Sequence, residues 1–185
     1  MKDLKWKTLS SEYLFSDLWF TVRKEKCITP EKTIVDPYYV YEFPTWVTVV
    51  GVTDDRKILM VRQYRHAIGE TIMEIPGGCV DDTDASLEDA AKREVLEETG
   101  YAFERYEYLG KISANPSTNN NLMHMYLATN GKKIKEQQLD HNEEIEVYLF
   151  SIAEVKQMLK ENTILQAMHA TCLFYALNKL GELQY

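Results

Sequence analysis

Apolar and polar residues alternate over much of the first quarter of the chain. Between residues 5 and 43 the runs Tyr13-Leu14-Phe15, Trp19-Phe20-Thr21-Val22, Thr33-Ile34-Val35 and Tyr38 to Phe43 are rich in aromatic and β-branched residues, with Pro30 and Pro37 between them. Such side chains suit a pleated surface, so this stretch predicts three or four strands joined by turns. Residues 46–53 (WVTVVGVT) and 57–64 (KILMVRQY) are stronger strand segments, and Asp54-Asp55-Arg56 between them predicts a hairpin turn. Another apolar strand runs from Thr71 to Ile75. Further on, strands are expected near 101–112, 122–128 and 145–150, separated by a polar loop at 113–121 and a long mixed-charge loop at 129–144. Ser151 is placed to cap a helix over about 152–160. Thr163 is placed to cap a last helix running to Leu180, with Gly181 as its stop. Ile164, Leu165, Met168, Cys172 and Tyr175 recur at helical spacing and are expected in the core.

In the middle of the chain the period changes from two to 3.6. Residues 93–100 read Arg-Glu-Val-Leu-Glu-Glu-Thr-Gly, preceded by Leu87, Ala90 and Ala91. At about 100° per residue, Glu94, Glu97 and Glu98 fall within an arc of roughly 100°. Glu94 and Glu98 share a side with Leu87, Ala90, Ala91 and Val95, whereas Glu88, Asp89 and Lys92 point away. The carboxylates therefore face the protein body. Ionised carboxylates on a partly buried face repel one another and are costly to desolvate. Arg93 can neutralise one of them at most. A hard divalent cation bound through oxygen is the economical compensation, and an acidic solvated helix surface is the plain alternative.

The segment upstream favours the cation. It reads Gly77-Gly78-Cys79-Val80-Asp81-Asp82-Thr83-Asp84-Ala85-Ser86. A glycine pair after an apolar strand and Pro76 makes a tight loop whose backbone can approach a ligand, and Asp84 or Ser86 supplies a helix N-cap. Strand, glycine loop and carboxylate-bearing helix, in that order, resemble the Nudix box. That pattern is a glycine, five residues, a glutamate, seven residues, then Arg-Glu-apolar-any-Glu-Glu-any-Gly-apolar. Arg93 to Tyr101 match the second half at every fixed position. The first half departs: Ala85 stands at the glutamate position, and the spacing back to Gly78 is one residue too long. In the family that glutamate mainly braces the loop by pairing with the arginine, and Asp84 is the candidate substitute. The resemblance implies Glu94 and Glu98 as principal ligands of Mg²⁺ or Mn²⁺. It makes Glu97 auxiliary, the Gly77 carbonyl a backbone ligand, and Gly78, Arg93 and Gly100 structural members of the motif.

Strands grouped around one helix, with a helical C-terminus, indicate an α/β or α+β fold. The resemblance narrows this to an α+β, Nudix-type αβα sandwich with a mixed sheet. Residues 1–43 would be an N-terminal β subdomain and possible dimerisation element, and 44–185 the hydrolase domain. Trp46-Val47-Thr48-Val49-Val50, Val61-Arg62-Gln63-Tyr64-Arg65 and Glu74-Ile75-Pro76-Gly77-Gly78 resemble the ADP-ribose pyrophosphatase branch. So do the N-terminal extension and Asn142-Glu143-Glu144-Ile145-Glu146-Val147 followed by two helices. Against the branch, Asn115-Pro116-Ser117-Thr118-Asn119-Asn120 stands where Ser-Pro-Gly is common. The expected activity is metal-dependent hydrolysis of the pyrophosphate bond of a nucleoside diphosphate linked to another moiety, with ADP-ribose leading.

Within that resemblance several further residues acquire expected roles. The general base is Glu143, with Glu144 as runner-up. Arg62 and Arg65, three apart in a strand, point to opposite faces, and Arg65 is favoured to reach the phosphates. Glu74 would hold a water or a structural hydrogen bond. Trp19 and Tyr39 could stack on a nucleobase, across a homodimer, with core or interface packing the plainer alternative for either one. His124 is expected to be a satisfied core histidine, and Cys79 a small filler.

Composition limits the rest. The chain has 185 residues, 45% of them apolar, which suits one globular domain. With 21 Lys and Arg against 29 Asp and Glu, the net charge is −8, and no basic stripe suits nucleic acid. Cys27, Cys79 and Cys172 are odd in number and scattered, which favours reduced thiols and a cytoplasmic protein. The N-terminus lacks the apolar core of a signal peptide, and no apolar run is long enough to span a bilayer, so no membrane partner is expected. Two alternatives are a Nudix hydrolase of another diphosphate (a GDP-sugar or a dinucleotide polyphosphate) and a non-catalytic nucleotide sensor.

Overall fold

The structure, a computed structural model, describes residues 1–183. The chain divides into two compact units, Met1–Pro44 with Ser113–Leu122, and Thr45–Ile112 with the chain from Met123 onward. No helix among the described residues is long and apolar enough to cross a membrane.

The first unit is an antiparallel sheet of β1 (Lys7–Ser16), β2 (Thr21–Ile28) and β3 (Ile34–Glu42) in that order. The 113–121 segment joins it: Tyr41 forms a bridge with Asn119, and the Tyr38 hydroxyl donates to the Ser117 carbonyl at 2.5 Å. Phe20 packs against Tyr41 and Phe43, with ring centroids 5.5 and 5.1 Å apart.

The second unit is built on β4 (Trp46–Thr53), β5 (Lys57–Arg65), β8 (Tyr101–Ile112), β9 (Met123–Lys133) and β10 (Ile145–Ser151), introduced together with the short β6 (Glu70–Glu74) and β7 (Gly77–Cys79). The main path runs β10-β5-β4-β9-β8; β4 and β9 are parallel and the other pairings antiparallel, so the sheet is mixed. Helix α1 (Leu87–Thr99) covers one face, where Val47, Val49, Leu59, Tyr126 and Ala128 meet Ala90, Ala91 and Val95. Helices α2 (Ile152–Lys160) and α3 (Ala167–Lys179) cover the other, where Val50, Ile58, Met60, Met125 and Leu127 meet Val155, Cys172 and Leu173. Successive strand residues serve opposite faces because strand side chains alternate, and cover on both sides makes the α+β, three-layer sandwich that the family resemblance implies.

Strands β4 and β5 share only the pairs Gly51–Leu59 and Val52–Ile58 before they splay. The free edge of β5 is then taken by β6 and that of β4 by β7, with Ile75-Pro76 crossing between them. The Pro76 carbonyl accepts from Val49 N–H at 2.9 Å and from the Thr48 hydroxyl at 3.0 Å. Accordingly, the expected glycine loop is a short strand, held flat against β4.

Three local expectations differ from the structure. Strand β9 continues to Lys133, beyond the expected end near residue 128, because β8 pairs along it as far as Tyr101–Lys133. Helix α3 starts at Ala167, capped by Gln166, because Thr163 instead donates to the Met158 carbonyl and closes the end of α2. Leu165 and Tyr175 are each 51% exposed. The buried stripe of α3 is Met168, Cys172 and Ala176 together with His169, Leu173 and Leu177, which leaves Tyr175 at its rim.

Candidate functional site

Helix α1 carries the acidic cluster, and its ends are well fastened. Ser86 caps it by accepting from Asp89 N–H at 3.1 Å. Gly100 closes it in the left-handed region at φ 75°, a conformation that glycine adopts without steric cost. The helix therefore presents Arg93, Glu94 and Glu98 in one orientation, toward β7.

Arg93 is the hub. Its Nε and Nη2 donate to the two carboxylate oxygens of Asp84 at 3.0 and 2.8 Å, and Nη2 also donates to the Cys79 carbonyl at 2.9 Å. Its Nη1 reaches Glu94 at 3.0 Å and Glu97 at 3.2 Å. The fork on Asp84 is a bidentate, charge-assisted pair, and it ties the loop to the helix. The Asp84 side chain is only 5% exposed, and Arg93 holds its carboxyl below the usual range. The one-residue extension after Gly78 thus delivers an aspartate to the arginine although Ala85 occupies the motif position.

The Glu94 and Glu98 side chains are sequestered as the helical wheel predicts, and that of Glu97 is 40% exposed. Burial pushes the Glu94 carboxyl up to about 7; Arg93 opposes the shift, and Glu97 and Glu143 add to it. Burial raises Glu98 well above its ordinary value, against the pull of the Gly77 N–H, which donates to its Oε2 at 3.0 Å. Gly78 allows this closeness, since a Cβ there would lie 2.6 Å from the Glu94 carboxylate. Buried carboxylates with raised proton affinity, lined by backbone and served by one guanidinium that is itself engaged by Asp84, form an oxygen-donor set short of positive charge. That set suits a hard divalent cation.

The loop before β10 bends back to this cluster. Gln137 donates to the carbonyls of Glu98 at 2.6 Å and Ile145 at 2.9 Å, and Gln138 N–H donates to the Glu97 carbonyl at 2.9 Å. Glu143 is exposed, accepts from Asp140 N–H at 3.1 Å, and is close enough to repel both Glu94 and Glu98. Glu144 is exposed.

Beside the carboxylates lies a cavity of about 500 Å³, whose wall includes Trp46, Arg65, Glu74, Gly77, Gly78 and His169. Arg65 grips Glu74 Oε2 through Nε and Nη2, both at 2.8 Å, while Arg62 points away to an exposed pair with Glu146. Glu74 is 1% exposed, and burial raises its carboxyl against the opposing pull of Arg65 and, more weakly, Gln63. Trp19 and Tyr39 belong to the first unit, 68% and 43% exposed, and are not part of this wall. His124 is half-buried, with its Nδ1 2.9 Å from the Tyr108 hydroxyl. His169, buried in α3, was not singled out in the sequence. A histidine on the inner stripe of an apolar helix was its only signal.

The chain is similar to known proteins along most of its length. The sequence model described as NUDIX domain matches residues 43–170, and that described as nucleoside diphosphate sugar hydrolase N-terminal domain matches residues 6–41. The chain is 28% identical to an ADP-ribose pyrophosphatase of Bacillus subtilis (strain 168), over 95% of this chain and 94% of the relative. It is 30% identical to a methanol dehydrogenase activator of Bacillus methanolicus, over 85% of each. An ADP-ribose pyrophosphatase of Mycobacterium tuberculosis is 27% identical over 91% of this chain and 81% of its own. A solved structure titled crystal structure of ADP compounds hydrolase superposes with a TM-score of 0.84, covering 99% of this chain and 100% of its own, at 22% identity, a likeness of fold.

Proposed function

Because the chain belongs to the Nudix family of hydrolases, we propose that it cleaves the pyrophosphate bond of a nucleoside diphosphate linked to a sugar. ADP-ribose is the leading substrate, with AMP and ribose 5-phosphate as products. The observation that carries this reading is a pair of carboxylates, Glu98 buried and Glu94 half-buried, facing Gly77 and Gly78 beside a cavity that also holds Arg65. The likeness to two ADP-ribose pyrophosphatases supports the choice of substrate.

Glu94 and Glu98 would hold Mg²⁺ or Mn²⁺, with Glu97 auxiliary and the Gly77 carbonyl as a backbone ligand. The bound cation supplies positive charge to the phosphate oxygens and acidifies water. The Gly77 N–H fixes the Glu98 carboxylate, and the Arg93–Asp84 fork fixes the loop against the helix. Arg65, oriented by Glu74 and 44% exposed at the cavity, binds a phosphate oxygen. Glu143 takes the proton of the attacking water; its loop position lets it approach after substrate has bound. Water attacks one phosphorus, the bridging P–O bond breaks, and the departing phosphate carries its charge toward Arg65.

Trp19 and Tyr39 would stack on the nucleobase, supplied across a homodimer of the first unit. The three cysteines are free thiols, in keeping with a reducing cytoplasm. The test is incubation of the purified protein with ADP-ribose, a GDP-sugar and a dinucleotide polyphosphate in the presence of Mg²⁺ or Mn²⁺, with products separated by chromatography. AMP and ribose 5-phosphate should dominate. Absence of product from all three diphosphates would overturn the reading.

A further inference from the structure

Glu74 and His169 meet at the wall of the cavity with their hydrogen-bonding unfinished. Glu74 is 1% and His169 4% exposed. Arg65 engages one carboxylate oxygen of Glu74 twice, through Oε2. The other, Oε1, and Nδ1 of His169 are both buried without a hydrogen-bond partner, 3.7 Å from each other. That separation is too long for a direct hydrogen bond, yet one oxygen atom can lie within hydrogen-bond reach of both. Buried polar groups are nearly always hydrogen-bonded, because leaving them unpaired is costly, so such a pair marks a place where a partner belongs.

The chemistry of the two groups defines that partner. An ionised carboxylate only accepts hydrogen bonds. His169 is deeply buried, and burial pushes its imidazole down to about 3, so the ring is neutral and donates through one nitrogen. With Nδ1 facing a carboxylate oxygen, the tautomer that carries its proton on Nδ1 is the favourable one. A group fitting between them must donate to Glu74 Oε1 and accept from His169 Nδ1. A hydroxyl does both, whereas an alkyl carbon does neither. The surrounding wall is apolar, with Ile72, Met123, Leu165 and Met168, and suits the carbon frame of the same group.

We propose that Glu74 and His169 form a hydroxyl-recognition subsite that selects a sugar, over an apolar alcohol, as the group esterified to the diphosphate. The inference rests on the hydrolase reading above and deepens it by naming what the cavity recognises. It gives α3, which carries none of the motif carboxylates, a part in specificity. It also gives Glu74 two tasks, one oxygen orienting Arg65 and the other reading the sugar. A site built to bond a hydroxyl discriminates strongly against a ligand that lacks it, because its own groups are then left unpaired.

The test compares kcat/KM for ADP-ribose with that for the propyl ester of ADP, both with Mg²⁺. The wild-type protein should favour ADP-ribose by on the order of a hundredfold or more. His169→Phe should shrink this ratio at least tenfold. His169→Asn, whose amide N–H stands near the position of Nδ1–H, should restore part of it. A wild-type ratio near one overturns the subsite while leaving the hydrolase reading intact, and a water filling the gap would give that result. An equal loss on both substrates in His169→Phe, with no recovery in His169→Asn, also overturns it. Cleavage of neither ester by the wild-type protein would instead overturn ADP-ribose as the substrate, and the subsite with it. Thermal unfolding of each variant identifies a folding failure, and in that case the wild-type ratio and the asparagine variant decide.

Discussion

Strand β4 buries seven of its eight residues, whereas β1 leaves all ten exposed. Both are rich in residues that favour strands, so propensity does not separate them. What separates them is cover. Helix α1 closes one face of the larger sheet and α2 and α3 close the other, while the three-stranded unit has no helix of its own. Among the described residues, Cys27 is the one hydrophobic side chain in that unit that is fully buried. Leu9, Tyr13, Phe15 and Trp19 remain exposed at 46, 64, 52 and 68%. Charge withdrawn into the covered unit and apolar side chains left exposed on the uncovered one are the two departures from ordinary burial.

Neutralising the buried charge of the covered unit should have the largest effect. Glu98→Gln should lower metal-dependent turnover of ADP-ribose by roughly a hundredfold or more and leave the fold intact by circular dichroism. Full activity would remove the metal assignment. Glu143→Gln should lower kcat by about a hundredfold with little change in KM, and Glu144→Gln should have a far smaller effect. The reverse order in steady-state kinetics would transfer the base to Glu144.

A smaller effect is expected where a buried charge already has its partner. Asp84→Asn leaves Arg93 without its bidentate carboxylate and should cost about 3 kcal/mol in urea unfolding. Because Asp84 is held below the usual range, its contribution is present above about pH 4 and is lost as pH falls through its lowered value. A variant as stable as the wild type at pH 7 would show that Arg93 does not depend on Asp84.

Smaller again is the effect of pH on the metal-free protein. Glu94 is raised to about 7, so between its ordinary value of 4.5 and that point the folded state binds more protons than the unfolded one. Stability should therefore fall as pH rises through this window. Mg²⁺ should raise Tm by a few degrees at pH 8 and by less at pH 5.5, as read by scanning calorimetry. An equal Mg²⁺ effect at both values would mean that the ion binds elsewhere. The smallest effect on folding belongs to the uncovered unit. Tyr13→Lys or Phe15→Lys should change unfolding free energy by no more than about 0.5 kcal/mol per folded chain. Either change should reduce self-association in analytical ultracentrifugation. Loss of folding in either variant would show that β1 is structurally covered after all.

Much of the candidate site was legible because it is local. Glu94 and Glu98 fall on the side of Ala91 and Val95 by helical period alone, and the structure buries Glu98 there and half-buries Glu94. Arg65 and Arg62 separate by strand alternation, and their partners, Glu74 and Glu146, lie on opposite sides. The substitute brace was less plain. The residue at the motif position is Ala85, and only the loop path shows that Asp84 reaches Arg93 with both oxygens. His169 left almost no signal, since its meaning depends on Glu74, a residue on a different element far along the chain. Helix α3 starts beyond Thr163 because the hydroxyl and N–H of that residue both turn back to the Met158 carbonyl and close α2, so a residue type suited to capping one helix serves the end of another.

Periodicity, turn chemistry and motif spacing were enough to place the strands, the acidic helix and the family resemblance, because each depends on neighbours within a few residues. Tertiary structure alone decided that β4 and β5 splay, that β6, Ile75-Pro76 and β7 fill the gap, and that Arg65, Glu74 and His169 gather beside the glycines. Those arrangements depend on which distant segment competes for each edge and each face. A repeat of two or 3.6 residues identifies the side an element will bury, but not what it will be buried against.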